Sequence, residues 1–502
     1  MEDQLSALLR RLEAAPGIPV QNPTSSYWQE PPHPISNIQS PELPSSADIV
    51  IIGSGITACS IVKTLLECCR DSALDESKYP RVVVLEARSL CSGGTGRNGG
   101  HIKETPHEHW NYLRETFGVE GARDITRFRL KHLDDILKIA KKEGLECVAE
   151  ARKVKTVDLH YDREFYRESV DQLKRFLVDM DGFLDPEIDA HWKALTGEEV
   201  LKEFGIDGTC GAFTYLAGAL SPYALVAHLF DSFLRSYPKL HIETSTPALS
   251  ITPLPSSLSS VNTPRGIIKA SHIIHATNGH ISQFLPGLRT KIQPVRGTMS
   301  VQVPSSQPAK FTTDDSLSFM WGKGFEYITI RTPPTDSPHK SSTPGPHWMV
   351  GGGLVHAPHE GLSEFGVTDD ATISLQSKAY LLGILPSILP PPPDQPNGVT
   401  NVETLSCWSG IMGFSADALP WVGRVGERYS RRRGGAKEYV CGGYSGEGMV
   451  NAWGCGAGLA RLVLHEMGIE VGMKGGWMVP WEMEATDERL ERADIRNLAT
   501  LF

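Results

Sequence analysis

Asp48-Ile-Val-Ile-Ile-Gly-Ser-Gly-Ile-Thr-Ala58, followed by Arg81-Val-Val-Val-Leu-Glu86, is the stretch whose reading decides the fold. Residues 49–52 form a short apolar run closed by a turn, the pattern of a parallel strand buried on both faces. Gly53 permits the tight turn out of that strand, Gly55 lets the backbone close on a pyrophosphate, and Ala58 keeps the next helix against the sheet. Ser54, Ile56 and Thr57 open that helix, predicted from Ile56 to Cys68. Its free N–H groups and positive dipole end face the phosphates. Val82–Leu85 reads as the second strand. Glu86 at its end, flanked by Ala87 and Arg88, can accept both ribose hydroxyls of an adenosine, and a 2′-phosphate there would be repelled. The unit points to a dinucleotide.

The next segment narrows the choice. Ser92-Gly-Gly-Thr-Gly-Arg-Asn-Gly-Gly-His101 is too rich in glycine for a helix or a regular strand. It can wrap a planar ligand, with Ser92, Thr95, Arg97 and Asn98 as donors and Gly96, Gly99, Gly100 and His101 completing the contact. With this run the chain resembles the D-amino acid oxidase superfamily of FAD-dependent amine oxidoreductases. The resemblance implies FAD as cofactor and an α/β fold (α+β overall): a Rossmann-like FAD-binding domain with a substrate domain built on an antiparallel sheet.

Later segments carry the resemblance further. Residues 218–225 are similar to the family segment leading into the helix before the adenine-contacting strand, and Thr244-Ser-Thr-Pro-Ala248 is similar to that strand, with Ala248 meeting the adenine through its backbone. His272-Ile-Ile-His-Ala-Thr-Asn-Gly279 resembles the return to the FAD, bringing Ala276, Thr277, Asn278 and Gly279. Gln293-Pro-Val-Arg-Gly297 resembles the crossing into the substrate domain. Residues 408–423, with Asp417, and Gly442-Gly-Tyr-Ser-Gly-Glu-Gly-Met449 resemble the C-terminal flavin-binding pair.

In that last segment Gly443, Tyr444, Ser445, Gly446, Gly448 and Met449 are expected beside the flavin, and residues 449–467 read as a helix whose N-terminus faces the ring. Such a dipole stabilises the anionic reduced flavin. That these glycines serve only close helix packing is the other reading. Glu447 stands where many members of the family have histidine, and a carboxylate beside reduced flavin opposes its charge unless it is protonated or turned to solvent. Some members attach flavin to cysteine. Cys407 precedes the flavin-facing Trp408, but its register does not match, so the FAD is expected to be non-covalent.

Composition sets outer limits. At 502 residues the chain exceeds one ordinary core. Its 40% apolar and 22% charged residues fit a globular protein, and a net charge of −10 argues against a nucleic-acid partner. No apolar run is long enough to span a membrane, and Arg431-Arg-Arg433 reads as a solvated loop. The acidic N-terminus, with an amphipathic stretch from Leu5 to Leu12, is not a secretory signal. Nine cysteines without metal-ligand spacing fit a reducing compartment. The expected location is therefore the cytoplasm, and no metal is expected.

The boundaries expected are an N-terminal arm (1–46), FAD-binding segments 47–110, 213–298 and 405–502 with a C-terminal tail, a helical and substrate-domain segment 111–212, and a substrate domain 299–404. The arm, rich in Pro, Ser and Asn, is expected to lie over the domain or to be disordered. Residues 110–145 read as two amphipathic helices. Residues 325–331 and 347–353 read as strands of the antiparallel sheet, with a bulge or turn at Gly351-Gly-Gly353. Residues 390–397 read as a loop, and residues 256–263 as a low-complexity replacement for part of a strand pair.

Oxidation of an amine or amino acid by hydride transfer to flavin, followed by imine hydrolysis, needs binding and orientation more than a catalytic triad. Candidate catalytic contacts are Arg97, His101, Arg296 and Glu447, with Tyr327, Arg331 and Trp348 on the sheet. An arginine suits a substrate carboxylate because its fork binds both oxygens, although a strand arginine such as Arg331 more often faces solvent. The matching strand lacks the lysine that helps oxygen accept electrons in sarcosine-oxidase-like relatives. A dehydrogenase using another acceptor, or a silent flavin-fold binding protein, remains as an alternative.

Overall fold

In the computed structural model, which describes residues 2–184, 191–305, 310–332, 338–391, 397–469 and 478–495, the opening motif forms the centre of a first sheet. Strand β1 (Ser46–Ile52) lies between β2 (Val82–Leu85) and β10 (Gly266–His275), parallel to both. The order continues outward to β7 (Leu240–Glu243) on one side and to β17 (Lys437–Gly442) and β16 (Trp421–Val425) on the other. Ile49, Ile51, Val82 and Val84 pack under the helices Ile56–Asp71, Pro222–Ser236 and Ala452–Glu466. Val50, Ile52, Val83 and Leu85 point the other way, toward Ala248, Ile251 and Val261. A strand buried on both faces has no polar side, and the sequence of β1 shows none.

The second face is covered by a hairpin of β8 (Ser250–Leu254) and β9 (Leu258–Thr263), with β9 paired to β10. This corrects the reading of residues 256–263 as a lost strand pair. Ser256 and Ser257 make the turn, with φ of 64° and 56°, and the serine-rich sequence beyond it holds its register. Another correction concerns Thr244–Ala248: the strand ends at Glu243, and these residues form the loop beyond it.

The second sheet runs β15 (Val402–Ser415), β11 (Ile292–Pro304), β14 (His347–Gly352), β13 (Phe325–Arg331), β12 (Asp315–Met320), β4 (Arg152–His160), β6 (Gly211–Ala219) and β3 (His101–Ile102), with β5 (Lys193–Thr196) on β6. Apart from the parallel pair β12–β4, its ladders are antiparallel. One face, with Val157, Leu317, Ile328 and Val350, packs on the helix Leu375–Ile388. The other carries Thr156, Asp158, Ser316, Ser318 and Thr329, all buried. A buried polar face needs polar partners, and the glycine-rich loop supplies some. Thr329 Oγ1 donates to Gly99 O at 2.7 Å, and Ser316 Oγ lies 3.0 Å from His101 Nε2.

Local expectations divide. The helix Pro106–Lys142 is broken at Gly118 (φ 73°), giving the two helical segments expected. Trp348, named as a candidate contact on the sheet, belongs instead to the apolar face that packs on Leu375–Ile388. Arg331 is buried and paired with Glu150, not solvated. Arg432, expected in a solvated loop, donates to both carboxylate oxygens of Glu438. The arm begins with the helix Glu2–Glu13 and continues as an ordered strap over both sheets' loops. Much of the 390–397 run lies outside the described residues.

Close packing between Ile56–Asp71 and Ala452–Glu466 hinges on Gly456, where a Cβ would lie 2.7 Å from Thr57 O. Gly456→Ala is expected to destabilise the protein by about 1–3 kcal/mol. Gly383, exposed in the helix Leu375–Ile388 with nothing within 4 Å of its would-be Cβ, is expected to gain about 0.5–1 kcal/mol as Ala. Chemical denaturation of the two variants checks both signs.

Candidate functional site

Five segments distant in the chain meet at the N-terminus of the helix Ile56–Asp71. Gly53 turns with φ +106°, and a Cβ there would lie 2.7 Å from Ala276 O. Thr95 Oγ1 accepts the Ile56 N–H at 3.0 Å, and Thr57 Oγ1 lies 2.8 Å from Tyr444 OH. Asn278 Oδ1 accepts the N–H of Gly443 at 2.9 Å, while Gly413 packs against Asn278 and Gly279. Ser445 donates its N–H to Gly413 O at 2.7 Å. Loops around residues 53, 95, 278, 412 and 444 therefore share one locus.

At that locus polar groups are left over. Among the described residues no acceptor meets the N–H of Gly55, Thr57 or Ala58, and the first turn of the helix holds no acidic residue. Ser92 Oγ and Thr277 Oγ1 are buried without a partner. Gly446 is exposed with only Phe414 near its would-be Cβ, and Gly448 is almost as open, whereas Met449 is buried. Buried donors without acceptors are rare in a finished protein interior, so these mark a place for a ligand.

At the end of β2, Glu86 accepts the Ser54 hydroxyl at 2.6 Å, the Ser54 N–H at 3.3 Å and the Arg88 N–H at 2.9 Å. Its carboxylate retains acceptor capacity. Ala87 beside it is half-buried. Ala248 is buried, and among the described residues its backbone N–H and C=O make no hydrogen bond. These are the features an adenosine would use.

The arginines are committed elsewhere. Arg97 donates to Ser92 O at 2.8 Å, to Ser409 O and Thr24 O at 2.7 Å each and to Thr24 Oγ1 at 3.3 Å, using four of its five N–H groups. Burial pulls its pKa down to about 10 against the charge of Asp370. Arg296 donates to Glu364 at 2.7 Å and Thr372 at 2.6 Å, and Arg331 pairs with Glu150 under the Trp28 ring. None presents the open fork expected for a carboxylate. Asp417, expected at the cofactor, is held by two 2.8 Å bonds from Arg489.

Between the glycine loop and the next helix lies a charged cluster that the sequence reading missed. Lys103 Nζ donates to Asp158 Oδ1 at 2.6 Å and to Ser318 Oγ at 2.7 Å, and Tyr215 OH donates to Asp158 Oδ2 at 2.5 Å. Burial opposes ionisation of Asp158, yet Lys103 and His107 hold its pKa far below the carboxylate range. His107, Glu108 and Asp158 bring potential ligand atoms within 4.8 Å of one another, but the Lys103 ammonium already supplies the cation. His101 is lowered to about 3 by burial and by Lys103, so its imidazole is neutral.

Glu447 answers its own puzzle. It is neither protonated nor turned to solvent: Oε2 pairs with Arg129 at 2.8 Å and Oε1 with His109 at 3.2 Å. Burial works against its charge, and Arg129 and His109 outweigh burial, depressing its pKa. Glu104, 3.5 Å from Arg129, is driven upward by burial. The signal was Lys103-Glu-Thr-Pro-His-Glu-His109, a dense run of ionisable residues directly after the glycines.

Comparison with known proteins fits this geometry. The family model described as FAD dependent oxidoreductase (DAO) matches residues 48–462, and the chain belongs to that family. No curated protein matches it. Among solved structures it is similar to glycine oxidase from Geobacillus kaustophilus, with a TM-score of 0.60 and 17% identity over 88% of this chain and 99% of that one. It is also similar to L-proline dehydrogenase from P. horikoshii (TM-score 0.58, 21% identity, 90% and 100% covered). NikD, an amino acid oxidase of nikkomycin biosynthesis, gives 0.56 and 13% over 84% and 95%. At these identities the likeness establishes the fold.

Among the described residues no helix is long and apolar enough to cross a membrane.

The Glu447–His109 pair makes a pH prediction. Burial lowers the His109 pKa, but the hydrogen bond and charge of Glu447 raise it to about 9. A folded value above the unfolded one stabilises the protein fully below pH 6.5, and the benefit is lost as pH rises through about 9. With a third of the ring in solvent, the contribution is at most about 1 kcal/mol. Melting curves of wild type and Glu447→Gln are expected to converge partly over this window; a constant gap would contradict the pairing.

Proposed function

As a member of the FAD-dependent oxidoreductase family, this chain, we propose, oxidises a C–N bond of an amine or amino acid. The observation that carries the proposal is the helix end at residues 55–58, whose amides lack acceptors where loops from both ends of the chain converge. That arrangement fits a pyrophosphate. Gly53, Ser54, Gly55, Ile56 and Thr57 would hold it, Glu86, Ala87, Arg88 and Ala248 the adenosine, and Ser92, Thr95, Gly96, Arg97, Asn98, Gly99, Gly100, Ala276, Thr277, Asn278, Gly279, Gly443, Tyr444, Ser445, Gly446, Gly448 and Met449 the flavin half.

When bound, FAD would supply the two-electron acceptor for oxidation at the carbon next to the amine nitrogen, and the imine so formed would need only water for hydrolysis. The protein's part is orientation and proton placement. The buried polar face around Thr156, Asp158, Ser316, Ser318 and Thr329 offers hydroxyls and one fixed carboxylate beside the neutral His101. The burial and the Lys103 charge that keep this imidazole neutral also disfavour a further cation beside it, so an amine bound there is favoured in its unprotonated form, with the lone pair the oxidation requires free. Because Arg97, Arg296 and Arg331 are bound to protein acceptors, recognition through the amine nitrogen is favoured over a carboxylate clamp.

The hairpin near Ser256 is intact and the Glu447 carboxylate is paired with Arg129 and His109, so neither feature speaks for a silent flavin-fold protein. Anaerobic mixing of purified holoprotein with a panel of amines and N-methyl amino acids is expected to bleach the flavin with at least one of them. Peroxide on re-aeration then separates an oxidase from a dehydrogenase that uses another acceptor. A colourless protein, or a flavin that no amine bleaches, contradicts the proposal. Gly55→Val, which pushes a side chain toward the pyrophosphate position beside Thr95, is expected to weaken FAD binding at least about tenfold.

A further inference from the structure

The arm before β1 lies outside the family match, which begins at residue 48. Even so, residues 24–29 make some of the closest contacts to the glycine-rich loop. Ser26 Oγ donates to Gly96 O at 2.7 Å, joined by Gln29 Nε2 at 3.0 Å. Trp28 Nε1 donates to Asn98 O at 2.5 Å. Thr24 takes two of the Arg97 donors through its carbonyl and hydroxyl. The intervening carbonyl, Arg97 O, is held by Trp408 Nε1 at 2.8 Å. Ser26, Tyr27 and Trp28 are all buried. Farther along, Thr244 donates its N–H to Ile38 O and Ser40 its N–H to Glu243, fixing the arm at the end of β7 as well.

These bonds have a directional consequence. In a trans peptide the C=O and the following N–H point opposite ways. With Arg97 O turned to Trp408 and Asn98 O to Trp28, the Asn98 N–H is turned away from the Trp408 indole and the Gly99 N–H away from the Trp28 indole. Among the described residues neither meets an acceptor. Gly99 is buried against Tyr327 and Met299, where a Cβ would lie 2.4 Å from the tyrosine ring. Orphaned amides on a buried glycine loop are donors held for a ligand.

We propose that the arm segment Thr24–Gln29 is part of the flavin site: by holding the Asn98 carbonyl, Trp28 turns the Gly99 amide away from the arm as a hydrogen-bond donor to the flavin, while Ser26 and Gln29 anchor the neighbouring Gly96 carbonyl and so fix the loop. Trp28 and Ser26 are positioning residues that touch the loop and not the cofactor. The inference rests on the cradle reading of the preceding subsection and adds a wall that the family match does not include.

The test uses full-length holoprotein and two variants. Trp28→Phe keeps the ring packing and removes only the indole N–H. Ser26→Ala removes the donor to Gly96. Each is stripped of FAD and retitrated, with the absorption bands of the bound flavin recorded. Both variants are expected to raise the FAD dissociation constant, Trp28→Phe by about tenfold, the equivalent of one net hydrogen bond, and to shift the bound-flavin bands toward those of free FAD. Apoprotein melting temperatures are expected to match wild type. An unchanged spectrum with unchanged affinity overturns the inference. So does a weaker affinity that merely follows a lowered apoprotein melting temperature while the bands stay fixed. Should Trp28→Phe fail to fold, Ser26→Ala alone decides by the same readouts. A wild-type protein that binds no FAD would instead overturn the cradle reading beneath it.

Discussion

Backbone amides without protein acceptors, gathered at the N-terminus of one buried helix, are the constraint on which the rest of the structure depends. A folded chain pairs nearly all its buried N–H groups, and leaving several open where no carboxylate approaches is costly unless an anion arrives. The sheet around β1 aims the helix, the glycines at 53 and 55 let the backbone come close, and Tyr444 closes the far side through Thr57. Everything else supports that geometry: the two-sided burial of β1, the hairpin sealing the opposite face, and the second sheet with its buried hydroxyls.

The second design problem is charge. Glu104, Arg129 and Asp158 are buried within or beside the site, joined by the partly exposed Glu447 and Lys103. Pairing lets Arg129, Asp158 and Glu447 keep their charges in fixed places, whereas burial still drives Glu104 upward beside Arg129. Glu447 would repel an anionic reduced flavin on its own, but the Arg129 and His109 cations attached to it more than offset its single negative charge. The same logic explains the arginines. Arg97, Arg296 and Arg331 hold loops and strands together with their forks, so they contribute rigidity rather than a substrate grip.

How much of this could be read from the chain follows from which signals are local. Ile49, Gly53, Gly55 and Glu86 announce their strand, turn and helix because the constraints act between near neighbours. The strands at 325–331 and 347–352 were legible from alternation alone. Trp348 was misplaced because period two tells which residues share a face but not which face meets the cofactor side. The hairpin of β8 and β9 was missed since Ser257-Leu-Ser-Ser-Val261 is weak as a strand by propensity and gains its register from β10. Partners of Glu447, Arg97 and Asp417 are distant in sequence, and ion pairs of that kind leave no periodic trace. Thr24, Ser26 and Trp28 sit in a stretch rich in proline and serine whose composition suggests looseness, while their hydrogen bonds to the loop at 96–98 fix them.

The central claim, that amides from separate loops close on one FAD, is tested most directly by hydrogen exchange of the apoprotein with and without added FAD. The account predicts that peptides spanning residues 53–59, 92–100 and 443–451 gain protection together on binding. Protection confined to one of these segments, or absent from all three, would contradict it.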